Sequence, residues 1–364
     1  MTTYLLAGGG TAGHVNPLLA VADRLRERNP LDTVLVLGTA EGLEARLVPE
    51  RGYELLTIAR VPFPRRPDRA ALGFPSAIRG AVDDVRAIIR DRGVDVVVGF
   101  GGYVAAPAYL AARAERAPLA IHEANARPGI ANRLGAVFTQ HVGVAFPATR
   151  IRGGQFVGMP LRREIEQLDR FEGRAAGIRL FGLDADKPVL LVTGGSSGAK
   201  RINDTIRDSI TLILGAGWQV IHVTGALREP IADPGLPGYL LLQYIDHMDL
   251  ALAVADLALS RAGTATVAEL EGLGIPAVFV PYAVGNGEQR FNAMGAVNAG
   301  GALLVDDARF DPAWVARELI PLLGNRARIA EMAARMVGIG VLDGTDRMVA
   351  LIDRAAAQTK IAEP

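Results

Sequence analysis

Ser260-Arg261-Ala262-Gly263-Thr264-Ala265-Thr266, then Glu269, then Gly285-Asn286-Gly287-Glu288-Gln289 and Asn292 bring a guanidinium, hydroxyls, amides and carboxylates into one stretch of chain. A short apolar run at 257–259 stops at Ser260, and Thr264 and Thr266 open a helix. The loop between them presents backbone N–H groups at a positive dipole end, which suits an anion. Glu269 lies one turn beyond Thr266, where a carboxylate accepts paired hydrogen bonds from a sugar diol and repels a phosphate. Gln289 and Asn292 carry both donors and acceptors and can read hydroxyls. The competing reading is a plain strand-helix-strand unit with a capped helix.

A second set lies at the N-terminus. Gly8-Gly9-Gly10-Thr11-Ala12-Gly13-His14 satisfies G-x-G-x-x-G after an apolar strand. A dinucleotide site also needs an acid at the end of the second strand, and Leu37-Gly38-Thr39 stands there, with Glu41 in the next loop. What remains is a tight turn that brings the backbone of Thr11, Ala12 and Gly13 and the imidazole of His14 to a ligand. An imidazole ordinarily titrates near ~6.5 and can take a proton from a hydroxyl at neutral pH. The alternative is a histidine capping a helix that starts at Pro17. Gly194-Gly195-Ser196-Ser197-Gly198-Ala199-Lys200 forms a phosphate cradle with Ser196 as donor, and Ala199 before Lys200 excludes a Walker loop. Asp184-Ala185-Asp186 imitates a metal-binding pair but reads as a turn ahead of a strand, and the histidines lack ligand spacing, so no metal or other cofactor is expected.

Together these stretches resemble the MurG family of GT-B glycosyltransferases. Arg261, Gly263, Thr266, Glu269, Gln289 and Asn292 fall on its nucleotide-sugar pattern, and the N-terminal turn is similar to its Gly-Gly-Thr-x-Gly-His signature, with Ala12 where Gly is usual. His122-Glu123-Ala124-Asn125 resembles the family's His-Glu-x-Asn segment, and Arg261-Ala262-Gly263 stands where Arg-Ser-Gly is usual. The resemblance covers nearly the whole chain. It implies His14 as general base, Asn125 projecting into the cleft, Ser196 on the donor diphosphate, Arg162 as a further binding residue and the backbone of Ile245 reading uracil. It also implies inverting transfer of N-acetylglucosamine from UDP-GlcNAc to the 4-hydroxyl of undecaprenyl-diphospho-MurNAc-pentapeptide, in peptidoglycan synthesis at the cytoplasmic face of the bacterial cell membrane. The other readings are a UDP-GlcNAc 2-epimerase, another GT-B transferase, or a non-catalytic UDP-sugar sensor.

These residues need a frame. Apolar runs at 4–7, 33–38, 54–58, 94–99 and 119–123 alternate with helical patterns at 17–28, 43–51, 75–92 and 105–113. Such runs call for a parallel sheet covered on both faces, whose ligands sit at the C-terminal strand ends. The pattern loosens around 156–162 and restarts at 189–193, 219–223, 239–243, 257–259 and 277–281. The expected architecture is α/β: two Rossmann-like, doubly wound parallel-sheet domains, 1–157 and 158–342, facing an interdomain cleft. Residues 343–364 form a helix that, by the resemblance, crosses back to the first domain.

The chain of 364 residues has 50% hydrophobic and 21% charged residues and no Cys, which excludes disorder, disulfides and thiol chemistry. Net charge is +0, so no nucleic-acid partner is expected, although residues 1–157 carry 19 basic and 14 acidic side chains. The long uncharged runs at 96–112 and 209–227 are broken by glycine or proline and do not read as membrane spans. Phe63, Leu72, Phe74 and Ile78 beside Arg65, Arg66, Arg69 and Arg79 point to a peripheral patch that lies on an anionic membrane surface, with core packing of Phe74 and Ile78 as the alternative.

Overall fold

The computed structural model describes residues 1–63, 69–195, 198–226, 231–282 and 287–361, with the backbone alone at 69–72 and 358–361. It divides into two compact units, Met1–Arg162 together with Asp343–Pro364, and Arg163–Leu342. The division follows Arg162 and not residue 157.

The first unit is built on strands β1 (Thr3–Gly8), β2 (Thr33–Gly38), β3 (Glu54–Thr57), β4 (Val96–Gly101), β5 (Leu119–Glu123), β6 (Val142–Val144) and β7 (Gly154–Phe156), with helices α1 (Ala12–Arg28), α2 (Glu44–Glu50), α3 (Arg69–Asp91), α4 (Ala105–Glu115) and α5 (Ile130–Gly135). All strand pairs are parallel, in the order β3-β2-β1-β4-β5-β6-β7. Side chains alternate across a strand, so both faces of this sheet must be covered. Leu5, Ala7, Leu35, Leu37 and Val97 point one way, into a cluster with Val85 and Ile89 of α3 and Tyr109 of α4. Tyr4, Leu6, Val34, Val36 and Val98 point the other way, against Leu18, Val21 and Leu25 of α1 and Met348, Leu351 and Ile352 of the C-terminal helix Gly344–Ile361. Each fully buried Leu or Ile contributes roughly 1.5–3 kcal/mol.

The second unit repeats the scheme. Strands β8 (Val189–Thr193), β9 (Gln219–Val223), β10 (Tyr239–Leu242), β11 (Leu257–Ser260), β12 (Ala277–Phe279) and β13 (Ala302–Leu304) pair in the order β10-β9-β8-β11-β12-β13, all parallel. The helices used below are α6 (Arg163–Glu166), α7 (Arg170–Phe181), α8 (Lys200–Gly215), α9 (Met248–Val254), α10 (Thr264–Gly272) and α11 (Glu288–Ala299).

In both sheets the order reverses beside the first strand, between β1 and β4 and between β8 and β11. Such switch points are where open α/β sheets hold ligands. The loops after β1, β4, β8 and β11 contain the Gly8–His14 turn, Gly101-Gly102, Gly194-Gly195 and Arg261–Gly263.

Two expectations change. The first helix begins at Ala12 and not at Pro17, because Gly10 turns the chain at φ +87° and the N–H groups of His14 and Val15 both bond Thr11 O at 3.0 Å. Pro17 lies inside α1, and His14 is in its first turn. Strands β6, β7 and β13, three residues each, were not anticipated.

Candidate functional site

In the first unit Thr11 is the N-cap of α1, and Ala12 and Gly13 are its first helical residues, whose N–H groups precede the intrahelical ladder. A methyl at Ala12 fits this position without departing from helical geometry. His14 is half-buried, with Nδ1 3.1 Å from Gly9 O and 3.3 Å from Thr11 Oγ1. A carbonyl oxygen only accepts, so the shorter of these contacts is a hydrogen bond in the tautomer that has its hydrogen on Nδ1 and its lone pair on Nε2. A Cβ at Gly101 would stand 2.9 Å from Nε2, so glycine there leaves that nitrogen uncovered. A Cβ at Gly102 would stand 2.5 Å from Gly9 O. Both residues have positive φ, +99° and +88°. The close approach these glycines allow is to the chain's own Gly9 turn and His14 ring.

Sequence reasoning missed Glu44, the first residue of α2. Its side chain is fully buried beneath the turn: Oε2 accepts from Gly10 N at 2.8 Å, and Oε1 accepts from Thr39 N at 3.0 Å and Thr39 Oγ1 at 2.8 Å. Burial works to raise its pKa, but donors from Gly10, its own backbone and Thr39 hold it below the ordinary carboxylate range. The acidic residue sought after β2 therefore exists, beneath the loop and not on a ribose. Its signal was three glycines, Gly9, Gly38 and Gly42, whose Cβ atoms would each fall within 2.5 Å of it.

Asn125 follows β5, half-buried, with its N–H donating to Glu123 Oε1 at 2.9 Å. Glu123 also accepts from Gly129 N and Asn132 Nδ2, so this buried carboxylate organises the loop. His122 is a core residue, Nε2 donating to Gly158 O at 3.0 Å, and burial pushes its pKa down to about 4. Arg162 is half-buried at the end of the first unit.

In the second unit Gly194 and Gly195 turn the chain from β8 toward α8. A Cβ on Gly194 would meet Ala199 N at 2.4 Å. Ser196 lies outside the described residues. Ile245, in the loop after β10, is 8% exposed. Gly263 is the N-cap of α10, with Thr266 and Glu269 half-buried on successive turns. Arg261 is turned inward: Nη1 donates to Val280 O at 2.9 Å, to Pro281 O at 3.3 Å and to Asp307. It binds the ends of β11 and β12 together. Asn292 is 1% exposed, Nδ2 lying 3.4 Å from Ala262 O and 3.3 Å from Thr264 Oγ1, so it fixes the same loop from α11. Gln289 Oε1 accepts from Tyr282 N at 2.9 Å.

Next to Glu269 on α10, Glu271 is 5% exposed, and its Oε1 has no hydrogen-bond partner among the described residues. Burial raises its pKa to about 7 despite a donor from Ala296.

Asp184 accepts from Asp186 N at 3.0 Å and pairs with Lys187 in a turn before β8, at the end opposite the switch point. Among the described residues no group of three His, Asp or Glu could hold a metal ion. A cavity of about 370 Å³ lies at that same far end, lined by Asp184, Trp218, Gln219 and Tyr239, and contains none of the expected site residues. In the apolar patch, Phe74 and Ile78 pack against the core, and Phe63, 36% exposed, stacks on Phe74 at 5.3 Å. Arg65 and Arg66, and the side chains of Arg69 and Leu72, lie outside the description. No described helix is long and apolar enough to cross a membrane.

Comparison with known proteins finds matches over nearly the whole chain. Residues 4–144 match the glycosyltransferase family 28 N-terminal domain and residues 189–348 its C-terminal domain. A curated protein of Leifsonia xyli, named UDP-N-acetylglucosamine--N-acetylmuramyl-(pentapeptide) pyrophosphoryl-undecaprenol N-acetylglucosamine transferase, is 64% identical, covering 97% of this chain and 98% of its own. The crystal structure of Acinetobacter baumannii MurG superposes with a TM-score of 0.79 at 29% identity, over 97% of this chain and 100% of its own. The UDP-GlcNAc 2-epimerase of Neisseria meningitidis superposes with a TM-score of 0.66 at 15% identity, over 97% of this chain and 100% of its own, which is a likeness of fold alone.

Proposed function

The chain belongs to the MurG family within glycosyltransferase family 28, and from that membership we propose that it moves N-acetylglucosamine from UDP-GlcNAc to the 4-hydroxyl of a lipid-linked MurNAc-pentapeptide, inverting the anomeric carbon. His14 Nε2 takes the hydroxyl proton as the oxygen attacks. The bond from the anomeric carbon to the diphosphate breaks, and UDP leaves with the electron pair. Charge gathering on the diphosphate meets the N–H groups at the start of α8 and the hydroxyl of Ser196, in place of a cation. Glu269 accepts from the ribose, Gln289 and Thr266 orient the sugar nucleotide, and the backbone at Ile245 reads the base. Arg261 and Asn292 act by holding the loop and strand ends around the donor. Asn125, Arg162 and the backbone of Thr11, Ala12 and Gly13 position the substrates.

The observation that supports this reading best is the Nδ1 to Gly9 O bond, which leaves the other ring nitrogen uncovered beside Gly101. The enzyme works at the cytoplasmic face of the membrane as a peripheral protein. Exposed Phe63, with the arginines that follow it in sequence, touches an anionic leaflet. Labelled GlcNAc presented as UDP-GlcNAc should appear on a lipid-linked MurNAc-pentapeptide. Label recovered only as an epimerised UDP-sugar, or bound without turnover, would replace this reading by an epimerase or a sensor.

A further inference from the structure

Glu44 and His14 lie on opposite sides of one peptide group. The N–H of Gly10 donates to Glu44 Oε2 at 2.8 Å, and the C=O of Gly9, the other end of the same peptide, lies 3.1 Å from His14 Nδ1. That amide is conjugated, so a negative charge held at its N–H end pushes electron density to its oxygen. The oxygen becomes a stronger acceptor for Nδ1–H, and the imidazole a stronger base at Nε2. Chains of hydrogen bonds polarise one another in this way by about 10–30% per bond. Where a carboxylate touches a catalytic imidazole directly it fixes tautomer and orientation; here a peptide intervenes.

The arrangement is built and not incidental. Glu44 is fully buried, and a Cβ at Gly9 would stand 2.3 Å from Oε1, one at Gly42 2.1 Å from Oε2, and one at Gly38 2.5 Å from its Cγ. Three glycines thus vacate the space it fills. Three donors, Gly10 N, Thr39 N and Thr39 Oγ1, reach its two oxygens from two different loops. This satisfies a buried carboxylate in its ionised form. The titratable neighbour facing His14 from β5 is His122, neutral in the core. Glu44 reaches the Nδ1 side of the ring through the Gly9–Gly10 peptide.

We propose that Glu44 is a positioning residue for the transfer, locking His14 in the Nδ1–H tautomer and raising the basicity of Nε2 through the Gly9–Gly10 peptide. The proposal rests on the reading of His14 as the base. Glu44→Gln tests it in the full-length protein, because an amide has one accepting oxygen and must turn its NH₂ toward either Gly10 N–H or Thr39 N–H. Single-turnover transfer should fall on the order of tenfold or more, while KM for UDP-GlcNAc changes by less than about twofold, since the donor residues lie on the second unit. The rising limb of the pH–rate profile should move to lower pH. A lower melting temperature with unchanged turnover per folded molecule and an unmoved limb would overturn the proposal.

A second measurement needs neither the variant nor activity. Nitrogen-15 NMR of the histidine-labelled wild-type protein should show the neutral His14 ring protonated at Nδ1; an Nε2–H ring would overturn the relay. If His14→Ala retains full transfer, the base assignment fails, while the same spectrum taken on Glu44→Gln still decides whether Glu44 sets the tautomer.

Discussion

After β1 the chain turns through Gly9 and Gly10 into α1, and after β8 it turns through Gly194 and Gly195 into α8, in two sheets of the same strand order. Only the first turn ends in an imidazole, and among the described residues only the first has a carboxylate beneath it. Each unit buries a glutamate beside its site, yet the two differ in state. Glu44 has three donors on its oxygens and is held ionised; Glu271 has an oxygen without a partner, and its pKa rises to about 7. The donor count, and not burial alone, decides which buried carboxylate keeps its charge. On the proposed reading, a repeated scaffold supplies proton chemistry on one copy and anion chemistry on the other.

The largest effect that would sharpen this contrast is expected at His14. His14→Ala should lower turnover by roughly 10² to 10⁴, the range for a lost general base, with UDP-GlcNAc affinity little changed. Single-turnover rates and calorimetry on one preparation check both halves, and a parallel loss of donor binding would break the division of labour.

Smaller is the effect at Glu269. Glu269→Ala should weaken UDP and UDP-GlcNAc alike by roughly 1.5–3 kcal/mol, the worth of charged hydrogen bonds to a ribose. Calorimetry showing unchanged UDP affinity would remove Glu269 from the nucleotide.

The smallest effect concerns Glu271 and stability. Its folded pKa lies above the ordinary value of 4.5, so the folded protein keeps a proton that the unfolded chain has released. The resulting stabilisation is present at acid pH and is lost as pH rises toward about 7. Glu271→Met should therefore flatten the fall in stability between acid and neutral pH and stabilise the second unit at pH 8 by on the order of 1–3 kcal/mol. Urea unfolding across that range reads the slope. A variant with the wild-type slope would show that Glu271 stays ionised.

Much of the frame was legible because parallel strands buried on both faces must be apolar throughout. The runs at Thr33–Gly38, Leu119–Glu123, Val189–Thr193 and Gln219–Val223 announce themselves with their true ends. Three-residue strands such as Ala302–Leu304 are too short to show a period. The start of α1 was hidden by Pro17, whose fixed φ suits a first turn but which the helix tolerates inside. The site was less legible, since a polar residue's type does not say whether it faces a ligand or its own backbone. Arg261 and Asn292 bond the backbone of neighbouring loops, which their types do not announce, and Glu44 escaped notice because its partner Gly10 is 34 residues away, brought near only when β1 pairs with β2.

The first unit takes its last helix from beyond the second. Met348, Leu351, Ile352 and Ala355 cover the sheet face that Tyr4, Leu6, Val34 and Val36 present, and the whole of Arg163–Leu342 is made in between. At ribosomal speeds that interval is roughly ten to forty seconds. During it the second unit can fold from a continuous segment, while the first waits with one apolar face of its sheet only partly covered by α1. Synthesis therefore reverses the order of the chain: the part begun first is completed last, and a nascent chain stalled before Gly344 would carry a sticky sheet face that invites chaperones or aggregation.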